Sequence, residues 1–131
     1  MGAVNILLDT CAFIWLCSEP ARLSAAARET LDNGENDLLV SDVSVLEITL
    51  KWTAGKLTLP SPPRLWVEAQ AQVWDVTRVA LARDDMYRAS ELPSHHADPF
   101  DRLLIATALN HNAVLLTPDT VIHAYPVACR W

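Results

Sequence analysis

Apolar and polar positions alternate along this chain in short blocks. Val4 to Leu8 (VNILL) is apolar except for Asn5 and stops at Asp9-Thr10, which predicts a buried strand that delivers a carboxylate at its C-terminal end. Cys11 to Cys17 then predicts a short helix stopped near Pro20. Ser24 to Leu31 predicts a second, with Ser24 as cap and three alanines before Glu29. Asn33-Gly34 breaks that helix, and Leu38 to Val40 is the second predicted strand. From Ser41 or Asp42 to about Ala54, residues Val43, Leu46 and Leu50 share one helical face, with Gly55 just past the end.

Lys56 to Pro63 (KLTLPSPP) holds three prolines and predicts a loop or short edge strand, the one candidate hinge. Beyond it come a helix over Leu65 to Trp74, a strand over Asp75 to Leu81 and a helix over Arg83 to Leu92. A further helix opens at Pro99, behind an Asp98 cap, and runs to about Asn110. Ala113 to Thr117 (AVLLT) is the fourth strand, followed closely by Asp119, and Val127 to Cys129 is a last short one. Strands alternating with helices predict an α/β domain: a central parallel sheet of four to five strands flanked by helices, spanning 1–131. In such sheets ligand sites form beyond the carboxyl ends of the strands, where two of these strands place an aspartate.

Composition narrows the class. The 131 residues are 51% hydrophobic and 20% charged, which excludes disorder and suffices for one core without disulfides or structural zinc. No apolar run reaches the ~20 residues of a membrane span, and Met1 to Asn5 lacks a secretory start, so the expected location is cytoplasmic. Cys11, Cys17 and Cys129 form no C-x-x-C pair and are expected as reduced, mostly buried thiols. A net charge of −6, from 16 acids against 10 bases, argues against a broad basic face that coats nucleic acid. A nuclease whose acids hold a cation remains open, because the cation then supplies the charge that meets the phosphate.

The acids themselves are the main chemical signal. Asp9, Glu47, Asp101 and Asp119 all lie in mostly apolar surroundings, where an unpaired charge costs several kcal/mol. Lys51, one helical turn past Glu47, and Arg102, beside Asp101, are too few to neutralise four carboxylates. Oxygen donors without paired His or Cys select Mg²⁺ or Mn²⁺ over zinc. Each aspartate also has a structural explanation: Asp9 and Asp98 as helix caps, Asp119 as a turn former after Pro118. Asp98, three residues before Asp101, is therefore a cap that could share the metal. Glu47, in mid-helix, has no capping role. His95 and His96 could transfer protons or touch a phosphate, and the five tryptophans could stack on bases or serve as core and interface anchors.

LLDTCAFIWL, SVLEI around Glu47, HADPFDRLLIATA, LLTPD and the closing Arg130-Trp131 together resemble the PIN-domain ribonucleases of the VapC toxin type, nearly end to end. The resemblance implies a PIN-like fold and a metal-dependent endoribonuclease cutting a structured RNA, such as a tRNA or ribosomal RNA loop. It also implies growth arrest, restraint by a cognate antitoxin, homodimerisation and products with a 5′-phosphate and a 3′-hydroxyl. By motif, Asp9, Glu47, Asp101 and Asp119 match the family's four acids, the first and third being the usual direct metal ligands. Thr10 and Thr117 match the hydroxyls beside the first and fourth. Thr10, Thr117 and Arg102 are then expected to position substrate or water, and Lys51, Lys56, Arg64 and Arg102 to form a modest basic path for phosphates. Cys11 stands where the subgroup often has histidine, and Ala97 where a basic residue is common.

Two other readings weigh against this one. A haloacid-dehalogenase-type phosphatase needs a second aspartate two positions after the first, where this chain has Cys11. An inactive PIN-like or receiver-like domain that binds a protein partner would cleave no RNA at any metal concentration. The presence of all four acids counts against an inactive PIN-like module.

Overall fold

A computed structural model describes residues 4–131. Its elements follow in the order β1 (Asn5–Leu8), α1 (Thr10–Ser18), α2 (Ala25–Asp32), β2 (Asp37–Ser41), α3 (Asp42–Thr53), α4 (Pro63–Val73), β3 (Thr77–Val79), α5 (Arg83–Glu91), α6 (Pro99–Asn110), β4 (Val114–Leu116) and β5 (Cys129–Arg130). The strands form one parallel sheet in the order β3-β2-β1-β4-β5, as the alternation of strands and helices predicts. β1 lies at its centre, with Leu7 level with Leu39 of β2 and Leu115 of β4.

Because side chains alternate across a strand, β1 feeds two cores. Ile6 and Leu8 join Val40 and Leu116 beneath Phe13, Ile48 and Trp66. Leu7, Leu39 and Leu115 face Leu104 and Ile105 of α6 on the other side. Burial on both faces explains why these strands read as nearly unbroken apolar runs. Phe13 meets Trp66 edge to face, with centroids 5.8 Å apart. Among the described residues, no helix is long and apolar enough to cross a membrane.

Three helices end in the same way. After α3, Gly55 takes φ 73° while its N–H bonds to Trp52 O and that of Lys56 to Lys51 O, a Schellman closure that meets the expectation for Gly55. Asp75 (φ 51°) and Asn112 (φ 53°) occupy the same left-handed position after α4 and α6. This shortens the third strand: Asp75 and Val76 bond back to Gln72 O and Ala71 O, so β3 starts only at Thr77. The last strand is shifted too. Val127 N–H turns back to Tyr125 O, and the ladder forms instead from Leu115 N–H to Ala128 O and from Thr117 N–H to Arg130 O. One thiol departs from expectation: Cys17 and Cys129 are half-buried, but Cys11 is exposed, because it lies on the first turn of α1 where that helix faces a cleft.

Candidate metal centre

The sheet order reverses between β1 and β4, and their carboxyl ends open into one cleft of about 230 Å³. Asp9 enters it directly after β1 and Asp119 from the loop after β4. Glu47 comes from the middle of α3, and Asp98 and Asp101 from the start of α6. Five acids from four segments of the chain thus share one space. Thr10, Cys11, Lys51 and Pro118 complete its walls.

Several of these acids also do structural work. Asp9 caps α1, its Oδ1 accepting Ala12 N–H at 2.7 Å, although the residue is only 5% exposed. Asp98 caps α6 through Phe100 N–H at 2.8 Å, and Asp119 closes a turn through Val121 N–H at 2.9 Å. Capping and membership of the cluster therefore coexist. Glu47 is buried and accepts from Lys51 Nζ at 2.8 Å, one turn along α3. Thr10 donates to Ser44 Oγ at 3.1 Å, tying α1 to α3, and the Thr117 hydroxyl accepts Asp119 N–H at 3.1 Å.

Electrostatic crowding shows in the carboxyls. Burial pushes Asp9 up to about 6 despite hydrogen bonds from Thr117 and Ala12, and the charges of Glu47 and Asp119 push the same way. Burial, then the charge of Asp98, raises Asp101 to about 7. Asp119 also feels burial but is lowered overall, by the hydrogen bond from His96 and by backbone N–H groups. His96 Nε2 lies 2.9 Å from Asp119 Oδ2 and 3.0 Å from Asp101 Oδ2. Burial pulls His96 down, but Asp119, Asp101 and Asp98 outweigh it and leave its pKa raised. The Asp98 N–H points at Nδ1 (3.2 Å), which leaves Nε2 as the ring nitrogen that donates to Asp119.

A hard divalent cation fits this donor set: clustered carboxylate oxygens, like charges raising one another, and few cations nearby. Asp101, Asp119 and His96 each place one ligand-capable atom within 4.8 Å of the others. Larger hollows exist elsewhere, one of 390 Å³ between α3, α4 and β3, but there Arg78 already holds both oxygens of Asp42, at 2.8 and 2.9 Å.

Arg102 is not where the sequence suggested. Its guanidinium donates to the carbonyls of Ala89, Leu92, Pro93 and His96 and to Tyr125 Oη, at 2.7 to 3.3 Å, so it staples the loop before α6 instead of facing a phosphate. A fork of N–H groups suits such a convergence of carbonyls. Lys56 and Arg64 are exposed and lie outside the cleft, which leaves Lys51 as the one member of the expected basic path at its wall. Sequence reasoning gave His96 only a role in proton transfer or phosphate contact. Its approach to Asp119, 23 residues away, has no signal in local spacing.

Comparison with known proteins gives a consistent answer. Residues 6–127 match the family model of the PIN domain. The chain is 31% identical over 122 residues to Ribonuclease VapC22 of Mycobacterium tuberculosis, covering 92% of each. Its fold is also that of VapBC2 from Rickettsia felis, solved bound to a promoter DNA fragment, with a TM-score of 0.71 at 12% identity, covering 97% of this chain and 98% of that one. FitAcB from Neisseria gonorrhoeae superposes with a TM-score of 0.65 at 22% identity, covering 95% of each chain. Both structural likenesses, at such identity, speak for the fold alone. The family match and the extended identity to a VapC ribonuclease together place this chain in the PIN-domain family, among its VapC-type members.

Proposed function

We propose that this protein is a Mg²⁺- or Mn²⁺-dependent endoribonuclease that cleaves a structured RNA, such as a tRNA or ribosomal RNA loop, as the toxin of a toxin–antitoxin pair. The observation that carries this reading is the convergence of Asp9, Glu47, Asp101 and Asp119 at the switch point of the sheet, beside only one lysine. Asp9 and Asp101 would hold the cation, with Glu47 and Asp119 holding it directly or through water. A divalent cation bound there supplies positive charge to the scissile phosphate and acidifies an attacking water. Asp119 or Glu47 would orient a water for attack or accept its proton. Thr117 fixes both ends of the acid pair it touches, through Asp9 and the Asp119 backbone. Asp98 contributes a further carboxylate, although its capping bond suffices to explain it.

Two surfaces support partners. Leu46 and Leu50 stand half-exposed one turn apart on α3, and Leu65 and Val73 of α4 are more exposed still, apolar side chains suited to contact with a cognate antitoxin or a second copy of the chain. An antitoxin side chain bearing Arg or Lys would also answer the cleft's charge. The reading places the protein in the cytoplasm as a homodimer.

The test is incubation of purified protein with total RNA in Mg²⁺ or Mn²⁺, with chelator, and with Asp9→Asn. Discrete products that disappear with chelator and with the variant are expected. A folded, metal-binding protein that cuts no RNA would move the assignment to a binding module that uses the same acids.

A further inference from the structure

We propose, within the nuclease reading above, that His96 is a positioning residue whose Nε2–H sets the separation of Asp101 and Asp119, and that Arg102 and Tyr125 hold it in place to do so. An ionised carboxylate only accepts, so Nε2–H donates to Asp119 Oδ2 at 2.9 Å, with Asp101 Oδ2 only 3.0 Å from the same nitrogen. Nδ1 receives the Asp98 N–H, which fixes the ring proton on Nε2. A metal-ligating histidine has the opposite arrangement, its second nitrogen donating to a carbonyl or carboxylate. The tautomer thus points to orientation of the acids and away from ligation.

The loop is built to present this ring. His96 N–H donates to Tyr125 Oη at 2.7 Å, and His96 O accepts from Arg102 at 3.3 Å. Arg102 also binds Ala89 O, Leu92 O and Pro93 O, and the Tyr125 hydroxyl donates to Pro93 O at 2.8 Å. Asp119 is held from its other side by Val121 N–H. Two acids from successive elements, Asp101 at the start of α6 and Asp119 after β4, are thereby set in place before any cation arrives, which lowers the reorganisation that binding requires.

Mn²⁺ titration calorimetry on the whole chain, comparing wild type with His96→Ala and His96→Gln, tests this. His96→Ala should weaken Mn²⁺ binding by about 10–100-fold. His96→Gln, whose amide N–H reaches the same two oxygens, should recover most of it, and thermal melts should show both variants folded. Imidazole ¹⁵N spectra of the metal-free wild type should show Nε2 protonated and Nδ1 bare, a state that persists on adding Mg²⁺. Unchanged affinity in His96→Ala overturns the proposal, as does equal loss in both variants or imidazole nitrogen hyperfine coupling in the Mn²⁺-loaded wild type. If the wild type takes up no Mn²⁺ at all, the proposed function fails first and this inference falls with it. Binding by wild type and His96→Ala alike sinks the role of His96 alone.

Discussion

Asp85 is buried more deeply than any acid of the cleft, at 1% exposure against 5% for Asp9, yet nothing about it suggests chemistry. Each of its oxygens meets a neutral donor: Ala82 N–H at 3.0 Å and Asn110 Nδ2 at 2.7 Å, with Arg88 closing on the Asn110 oxygen. It pins α5 to α6. The acids of the cleft instead face one another, and Asp9 and Asp101 are pushed up to about 6 and about 7 partly by their neighbours' charges. Burial alone is therefore a poor marker of function. What separates the two regions is whether the fold supplies each carboxylate with its own donors or crowds several around one space that a cation would satisfy.

Neutralising one acid in each region should have opposite consequences. Asp101→Asn is expected to reduce RNA cleavage by at least ~100-fold while leaving the melting temperature of the metal-free chain equal or higher, because a repelling charge is removed from a buried cluster. Asp85→Ala should do the reverse, costing about 1–3 kcal/mol by orphaning Ala82 N–H and Asn110, with cleavage retained below the new melting temperature. Chemical denaturation and single-turnover cleavage on both variants would settle the contrast, and a stable, inactive Asp85→Ala would break it.

Arg102→Lys comes next. Replacing the fork by one ammonium should cost about 1–2 kcal/mol and weaken metal binding only through a looser loop. If the variant kept full stability and metal affinity but lost RNA cleavage, Arg102 would touch substrate after all.

The pH response carries a smaller effect of determined sign. Folded Asp9 and Asp101 keep protons to about pH 6 and about pH 7, whereas in the unfolded chain they titrate near the ordinary 3.8. The folded state binds more protons across that window, so these two acids make the metal-free protein lose stability as pH rises from about 4 to 7. Asp119, lowered, contributes stability that is lost only in acid. A divalent cation competes with those protons, so the melting temperature gained on adding Mn²⁺ should be larger at pH 8 than at pH 5 in thermal-shift measurements. An equal gain at both values would mean the cation binds elsewhere.

Gly55→Ala calibrates the scale. An added Cβ meets nothing within 4 Å, so its cost is the positive φ alone, about 1 kcal/mol, with cleavage unchanged in melts and assays run together.

Much of the fold was legible along the chain because each element has a local cause. The apolar runs at Val4 to Leu8 and Ala113 to Thr117 became β1 and β4, Ser24 capped α2, Asp98 capped α6, and Gly55 ended α3. Boundaries slipped where two signals competed. Asp75 and Val76 look like the start of a strand, but the closing turn of α4 claims both of their N–H groups. Positive φ at an aspartate has weaker sequence punctuation than at a glycine.

The four acids were likewise nameable from sequence, since charge within apolar runs is costly and asks for a counterion wherever the chain folds. Their partners were not. Whether Arg102 meets phosphate or carbonyls, whether Cys11 is covered, and which acids His96 touches depend on how the loop before α6 and the loop after β4 fold against the cleft. Sequence by itself determined the layered parallel sheet and the identity of the carboxylates, because hydrophobic period and desolvation act residue by residue. Only the tertiary structure decided which of those carboxylates share one space and which side chain sets their separation, because a hydrogen bond such as His96 to Asp119 closes only once the loop before α6 and the loop after β4 lie side by side.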